Sequence, residues 1–363
     1  MATSDFFADT YIAAREKFIS AARAARCDLS EYPLRNHAGP YGEELTIDVG
    51  KLGPAEPQAV LVLISGTHGV EGFCGSGCQV GFLTDRLYEA LPANCGALLV
   101  HALNPYGFAW LRRVNEDNID LNRNFRDFSK ELPSCSAYEE LHDWLVPLEW
   151  EGEHRQRADE ELRRYIEANG MRAFQAAVTS GQNTRPTGLF YSGTAESWSN
   201  NTLREICQKF VPASAKLLAV LDFHTGLGPA GYGEPIFVGN DAGFDRAKSW
   251  YGPEVKKLDE GGAVAAMVSG DVSNAFRVSL DKTESVYVAL EYGTKPVLEV
   301  LTALRADHWL HSIPNRPTEL RGDIKRNLRD AFYADRSDWK AAVYGRAADF
   351  IFRAARGLRE VTK

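Results

Sequence analysis

The sequence predicts an α/β domain in which a mixed, largely parallel sheet is flanked by helices. Three observations predict it. Continuous apolar runs of strand length recur at residues 58–65, 96–103, 216–223 and 286–292, and runs without polar alternation suit strands covered on both faces. Segments with helical spacing lie between them, around 73–91, 136–180, 197–210 and 297–312, and that alternation builds parallel sheets. With 363 residues, 44% hydrophobic and 25% charged, the chain can bury a large core around such a sheet.

Taken in order, the opening DFFADTYIAAREKFISAARAA repeats apolar residues at helical intervals and predicts a packed helix over about 5–25. ELTIDVGK, at 44–51, alternates apolar and polar residues, which predicts a more exposed antiparallel strand. The runs QAVLVLIS and GALLVHAL predict two buried strands with a helix between them, and KLLAVLDF and VYVALEY two more. The charged segment 150–174 mixes both signs at helical spacing, the pattern of a solvated helix face. The last stretch, over about 325–358, is again helical. No low-complexity linker or internal repeat interrupts the chain, so one domain over 1–363 is expected.

The charge balance restricts partners. Asp and Glu number 49 against 41 Lys and Arg, for a net charge of -8 with no basic block, which argues against nucleic acid and anionic membrane. No stretch approaches the roughly 20 apolar residues that span a bilayer, and acids come early in the N-terminal segment, unlike a secretory signal. Six cysteines (Cys27, Cys74, Cys78, Cys95, Cys135, Cys207) are scattered rather than arranged as a disulfide framework. A cytoplasmic protein is expected. Cys74 and Cys78 read as one face of a helix, because no second pair completes a four-thiolate site.

Ligands of open α/β sheets bind beyond the carboxyl ends of the strands, and four polar clusters fall there. His68 and Glu71, in GTHGVEG after the strand at 58–65, are an imidazole and a carboxylate that can face one point. A catalytic zinc needs one more ligand and an open position. The glycines at 66, 69 and 72 would let this turn approach a metal. Asp222 and His224, in DFHTGLG, are delivered by the strand at 216–223 into a glycine-containing loop, where His224 is a natural third ligand. The nearby G-x-G-x-x-G spacing is interrupted by Pro229 and followed by no helix, unlike a dinucleotide site. In RRVNEDNIDLNRNF, Arg112, Arg113, Asn122 and Arg123 are donors suited to a substrate carboxylate and an oxyanion. They read equally as arginines paired to Glu116, Asp117 and Asp120. Glu291, at the end of VYVALEY, is placed to act as a general base; Glu284 competes but precedes the strand.

Together, from about residue 57 to 297, these motifs resemble the zinc carboxypeptidase superfamily, which includes carboxypeptidase A-like peptidases and the aspartoacylase and succinylglutamate desuccinylase enzymes. The resemblance implies one Zn²⁺ held by His68, Glu71 and His224, with Asp120 orienting the first histidine. It implies that Asn122 and Arg123 bind a substrate carboxylate, that Arg113 stabilises an oxyanion with Arg112 as the adjacent alternative, and that Glu291 is catalytic. The implied activity is hydrolysis of an amide beside a carboxylate-bearing residue, in a small peptide or an N-acyl amino acid. The short interval from Arg113 to Asn122 lies nearer the acylase branch, and the tyrosine that many carboxypeptidases place before the catalytic Glu has three candidates, Tyr232, Tyr251 and Tyr287. The long insertion between Phe125 and residue 216 is expected to wall the pocket. Two rivals remain: a serine hydrolase using Ser76, although CGSGC lacks the outer glycines of a nucleophile elbow, and a non-catalytic relative that binds a peptide end or small acid through Arg123.

Overall fold

The apolar run that begins at residue 59 forms the middle of the sheet, and its residues alternate between two cores. Leu61 and Leu63 point into one, and Val60, Val62 and Ile64 into the other, which is why the run carries no polar residue. The computed structural model describes residues 2–133, 135–258, 263–266, 268–280 and 283–362. Its eight strands are β1 (Asp28–Ala38), β2 (Glu44–Leu52), β3 (Ala59–Ile64), β4 (Cys95–His101), β5 (Leu217–Ala230), β6 (Glu234–Val238), β7 (Lys256–Lys257) and β8 (Glu284–Gly293). They lie in the order β1-β2-β4-β3-β5-β8-β6-β7. The inner four, β4, β3, β5 and β8, are mutually parallel, while β2 and β6 flank them antiparallel. This is the mixed, largely parallel sheet that the sequence predicts.

Among the described residues twelve α-helices follow in chain order: α1 (Tyr11–Ala24), α2 (Gly72–Thr84), α3 (Pro105–Ala109), α4 (Ser136–Leu145), α5 (Gly152–Asn169), α6 (Met171–Thr179), α7 (Trp198–Phe210), α8 (Asp241–Tyr251), α9 (Ser273–Ser279), α10 (Val297–His311), α11 (Arg321–Phe332) and α12 (Ser337–Gly357). Phe18 of α1, Phe82 of α2, Trp250 of α8 and Phe350 of α12 cover one face of the sheet. Leu203 and Ile206 of α7 and Phe276 of α9 cover the other. The insertion after Phe125 builds a third apolar cluster, in which Tyr138, Phe174 and Val178 pack against Val300 and Leu304 of α10 and Phe332 of α11. α5 buries only Ala158 and Leu162, so the charged segment is a solvated helix face. Among the described residues no helix is long and apolar enough to cross a membrane, and all six cysteines are free.

Two expectations are corrected. Strand β2 is antiparallel, but residues 45–50 are buried rather than exposed. Its polar face is covered by α1: the Tyr11 hydroxyl exchanges hydrogen bonds with the Thr46 backbone, and Arg15 donates two to Asp48 at 2.8 and 3.0 Å. Strand β5 does not stop at Phe223. It pairs with β8 through Thr225, bulges, and pairs again at Ala230, so His224 stands in a strand and not in a loop.

The strand order positions the site. From β3 the chain crosses through α2 to β4 on one side, whereas β5 and β8 extend on the other. The reversal between β3 and β5 opens a crevice at their carboxyl ends, where His68 and His224 lie.

Candidate active site

The turn after β3 is shaped by close packing. Gly66 takes φ 71°, a left-handed conformation that favours glycine. A Cβ on Gly69 would fall 2.0 Å from the Gly107 carbonyl carbon, and one on Gly72 would fall 2.5 Å from the Phe108 ring. The last two glycines therefore permit close approach to α3, rather than to a metal as the sequence suggests. Backbone bonds from Gly69 N to Arg113 O (3.1 Å) and from Val70 N to Arg112 O (2.8 Å) tie the turn to the arginine loop. His68 then opens a single 3₁₀ turn, and Glu71 ends it.

His68, Glu71 and His224 are all buried, and each offers a ligand atom within 4.8 Å of the others. Among the described residues this is the one group of three or more His, Cys, Asp or Glu that could hold a metal ion. Asp222 Oδ2 lies 2.8 Å from His224 Nε2, which leaves Nδ1 toward Glu71 Oε2 at 3.4 Å. Asp222 also accepts from the Thr67 hydroxyl at 3.0 Å and from the Tyr287 hydroxyl at 2.5 Å. Burial alone would lower the His224 pKa, but Asp222 and Glu71 push it well above the ordinary imidazole value. Burial and the Arg113 charge hold His68 well below its ordinary value, in the neutral form that ligates metals.

Arg113 supplies the positive charge now facing these groups. It donates to Asp120 Oδ2 (2.9 Å), to Glu71 Oε1 (3.1 Å) and to His68 Nε2 (2.7 Å). Asp120 Oδ1 stands 3.5 Å from His68 Nδ1, and that nitrogen is buried with no hydrogen-bond partner. Burial alone would raise the Asp120 pKa, yet Arg113 and His68 hold it well below the carboxylate range. A neutral imidazole, an anionic carboxylate and an imidazole backed by a carboxylate form a donor set that fits zinc. A cation bound there would compete with Arg113 for the same lone pairs.

Glu291 is paired in register with His224 across β5 and β8, so both side chains stand on one face of the sheet. Oε1 accepts from Leu227 N at 3.1 Å. Burial and the nearby Glu71 charge push its pKa up to about 8. Glu284, the competing carboxylate, opens the strand in an ion pair with Arg246 and does not line the cavity.

The two adjacent arginines part company. Arg112 turns away to Asp307 (2.9 Å) and Asn118 (2.9 Å), so it pairs neither with Glu116 nor with Asp117, whereas Arg113 lines the cavity. Asn122 Oδ1 accepts from Val272 N at 3.1 Å. The Arg123 guanidinium donates to Thr179 O and Asn122 O and lies 5.5 Å from the Phe190 ring centroid. Burial lowers its pKa to about 10, so it remains a cation. Of the three tyrosines, only Tyr287 lines the cavity, and its hydroxyl is held by Asp222. Tyr251 is stacked on Phe350 in the core, and Tyr232 lies at the surface beside Arg346.

Ser76 presents a different grouping. Its Oγ is 3.0 Å from His101 Nε2, and His101 Nδ1 is 3.8 Å from Asp48. All three are buried, none lines the cavity, and Asp48 is already bonded to Arg15. A row of these residue types without a cleft cannot meet a substrate.

A cavity joins His68, Arg113, Asn122, Arg123, His224 and Glu291 and opens to solvent. The insertion walls it through α6 and Phe190. The meeting of Thr67 and Tyr287 with Asp222 is not visible in the sequence, because it depends on the register of β3, β5 and β8.

The chain matches the family model described as "Protein of unknown function (DUF2817)" over residues 7–346. No curated protein matches the sequence. Similar solved structures include a carboxypeptidase A from Helicoverpa armigera, with 12% identity, 94% of this chain and 73% of that chain covered, and a TM-score of 0.43. A succinylglutamate desuccinylase from Chromobacterium violaceum has 16% identity, 83% and 75% coverage, and a TM-score of 0.35. A murein-tripeptide amidase from Escherichia coli O157 has 15% identity, 79% and 93% coverage, and a TM-score of 0.34.

Proposed function

The chain belongs to the DUF2817 family, and for this member we propose a zinc-dependent hydrolase, metallocarboxypeptidase-like, that cleaves an amide bond next to a carboxylate-bearing residue. The observation that carries the reading is the convergence of His68, Glu71 and His224 within 4.8 Å, beside a carboxylate in register with His224. These three would hold the ion. When bound, zinc supplies Lewis acidity, polarising a carbonyl and acidifying water.

The chain's own residues account for the remaining steps. Asn122 and Arg123 bind the substrate carboxylate and so fix the scissile bond beside Glu291. Glu291 takes a proton from the attacking water as the water oxygen bonds to the carbonyl carbon, and returns it to the amine nitrogen as the C–N bond breaks. Arg113, with three of its five N–H groups engaged, turns the others to the developing oxyanion. Asp120 and Asp222 position Arg113, His68 and His224.

A second reading, an N-acyl amino acid deacylase, is favoured by the apolar lining of the cavity on α6 and α10. The test is a hydrolysis screen of C-terminal peptide libraries against N-acyl amino acids, with and without chelator. Chelator-sensitive release of an amino acid from either set is expected. Binding without turnover, insensitive to chelator, would identify a non-catalytic relative instead.

A further inference from the structure

The cavity changes character away from its polar floor. On the sheet side, Ala289 stands beside Ile236 and Tyr287 beside Val238, in register behind Glu291, so the face that leads from the general base is apolar. Opposite, Phe174 and Val178 of α6, Val300 and Leu304 of α10, and Phe332 belong to one buried cluster and also line the cavity. Val300 and Phe332 stand against Gly226, two residues beyond His224. The wall is therefore continuous with the metal-ligating cluster.

That wall runs outward to solvent. Residues 297, 300, 301 and 304 of α10 line the cavity at spacings that keep them on one helix face. Seven residues at the α-helical rise span roughly 10 Å. At the outer end Met171, Val297 and Leu298 line the cavity yet remain 39%, 40% and 45% exposed. An apolar rim kept in water at a cavity mouth marks a place where apolar ligand surface is covered.

The polar side chains of α6 on this wall are already engaged. The Gln175 amide donates to Val264 O at 3.0 Å, and the Thr179 hydroxyl donates to Gln175 O at 2.9 Å. A peptide placed along the wall would bring backbone N–H and C=O groups that need partners. An aliphatic chain brings none.

Resting on the hydrolase reading above and deepening its second branch, we propose that the substrates are N-acyl amino acids whose acyl group is a medium or long aliphatic chain. The amino acid carboxylate is held at Asn122 and Arg123. The acyl chain lies along α10 and Phe332 and leaves past Leu298. Water adds to the acyl carbon, the C–N bond breaks, and the products are a fatty acid and a free amino acid.

The test compares N-acetyl-, N-hexanoyl- and N-decanoyl-leucine. With zinc-supplemented protein, kcat/KM rises about fourfold for each methylene that reaches the wall, and decanoyl exceeds acetyl by at least on the order of 100-fold, which about three to four covered methylenes supply. Calorimetric binding to the metal-free protein shows the same order. Leu298→Asp, at a half-exposed rim position in the first turn of α10, lowers the decanoyl-to-acetyl ratio about tenfold. Acetyl-leucine turned over as fast as decanoyl-leucine overturns the proposal and leaves the hydrolase reading standing. Length-dependent binding with no hydrolysis removes the hydrolase reading and with it the substrate assignment, and leaves standing only the seating of an aliphatic chain along the wall. Binding that ignores chain length, or a ratio unmoved by Leu298→Asp, overturns the proposal.

Discussion

Replacing Asp222 by Asn should weaken zinc binding without unfolding the protein. Asp222 is buried and accepts from Thr67, Tyr287 and His224 Nε2. The carboxylate thus keeps the His224 proton on Nε2 and leaves Nδ1, beside Glu71, free to ligate. Asparagine has the same shape and can still bond Thr67 and Tyr287, but its amide can donate to Nε2 and move the proton to Nδ1. Partners of this kind are worth 10- to 100-fold in metal affinity, or about 1.4 to 2.8 kcal/mol. Competitive titration against a chromophoric chelator measures the change, with a thermal melt of the metal-free protein as the control. Tyr287→Phe removes one hydrogen bond from Asp222 but not its charge, so its effect on zinc should be smaller. Zinc affinity unchanged within twofold in Asp222→Asn would refute the reasoning.

Other consequences are equally direct. Arg113→Ala should lower kcat on the order of 10²- to 10³-fold while zinc content stays full, whereas His68→Ala should lose the metal; inductively coupled plasma spectrometry beside turnover separates the two. Burial and the Glu71 charge push Glu291 up to about 8 in the metal-free protein, and a bound cation lowers that value. Because the base acts deprotonated, kcat/KM should fall as pH drops through an acid limb centred below 8, and Glu291→Gln should lose turnover but keep zinc. Behind the site, buried Asp307 accepts from Arg112 at 2.9 Å and from Lys325 at 2.5 Å. Burial alone would raise its pKa, but Lys325 and Arg112 hold it far below the carboxylate range. Its folded-state pKa is thus depressed, so its stabilisation is present above the unfolded value near ~4 and lost at lower pH. Urea melts of Asp307→Asn should show less acid sensitivity than the wild type. Arg112→Met should cost on the order of 3 kcal/mol, the low end for breaking a buried pair because Lys325 remains.

The inner strands were legible because β3, β4, β5 and β8 carry both-face apolar runs. The misreadings have local causes. The alternation of β2 resembles a half-exposed strand, but Tyr11 and Arg15, more than 30 residues away, cover its polar face. The glycines after His224 resemble a loop, and they do form a bulge, but β8 pairs with β5 through Thr225 before it and at Ala230 after it. Strands β1, β6 and β7 carry no such signal: β1 contains Pro33 and a mixed pattern, β6 has five residues and β7 two. Within the site, His68 and Glu71 were visible as a local pair, and His224 and Glu291 as strand-end residues. The choice between Arg112 and Arg113 was not, because neighbouring side chains diverge and their partners, Asp307 and Asp120, are fixed by tertiary packing.

The central claim is that His68, Glu71 and His224 hold one zinc ion, and metal content tests it most directly. After zinc loading and buffer exchange, the wild-type protein should retain one zinc per chain. His68→Ala and His224→Ala, with far-UV circular dichroism unchanged, should retain less than about a tenth, given the loss of one of three protein ligands. A folded His68→Ala or His224→Ala protein that still carries one zinc per chain, or a wild type that carries none, would contradict the account.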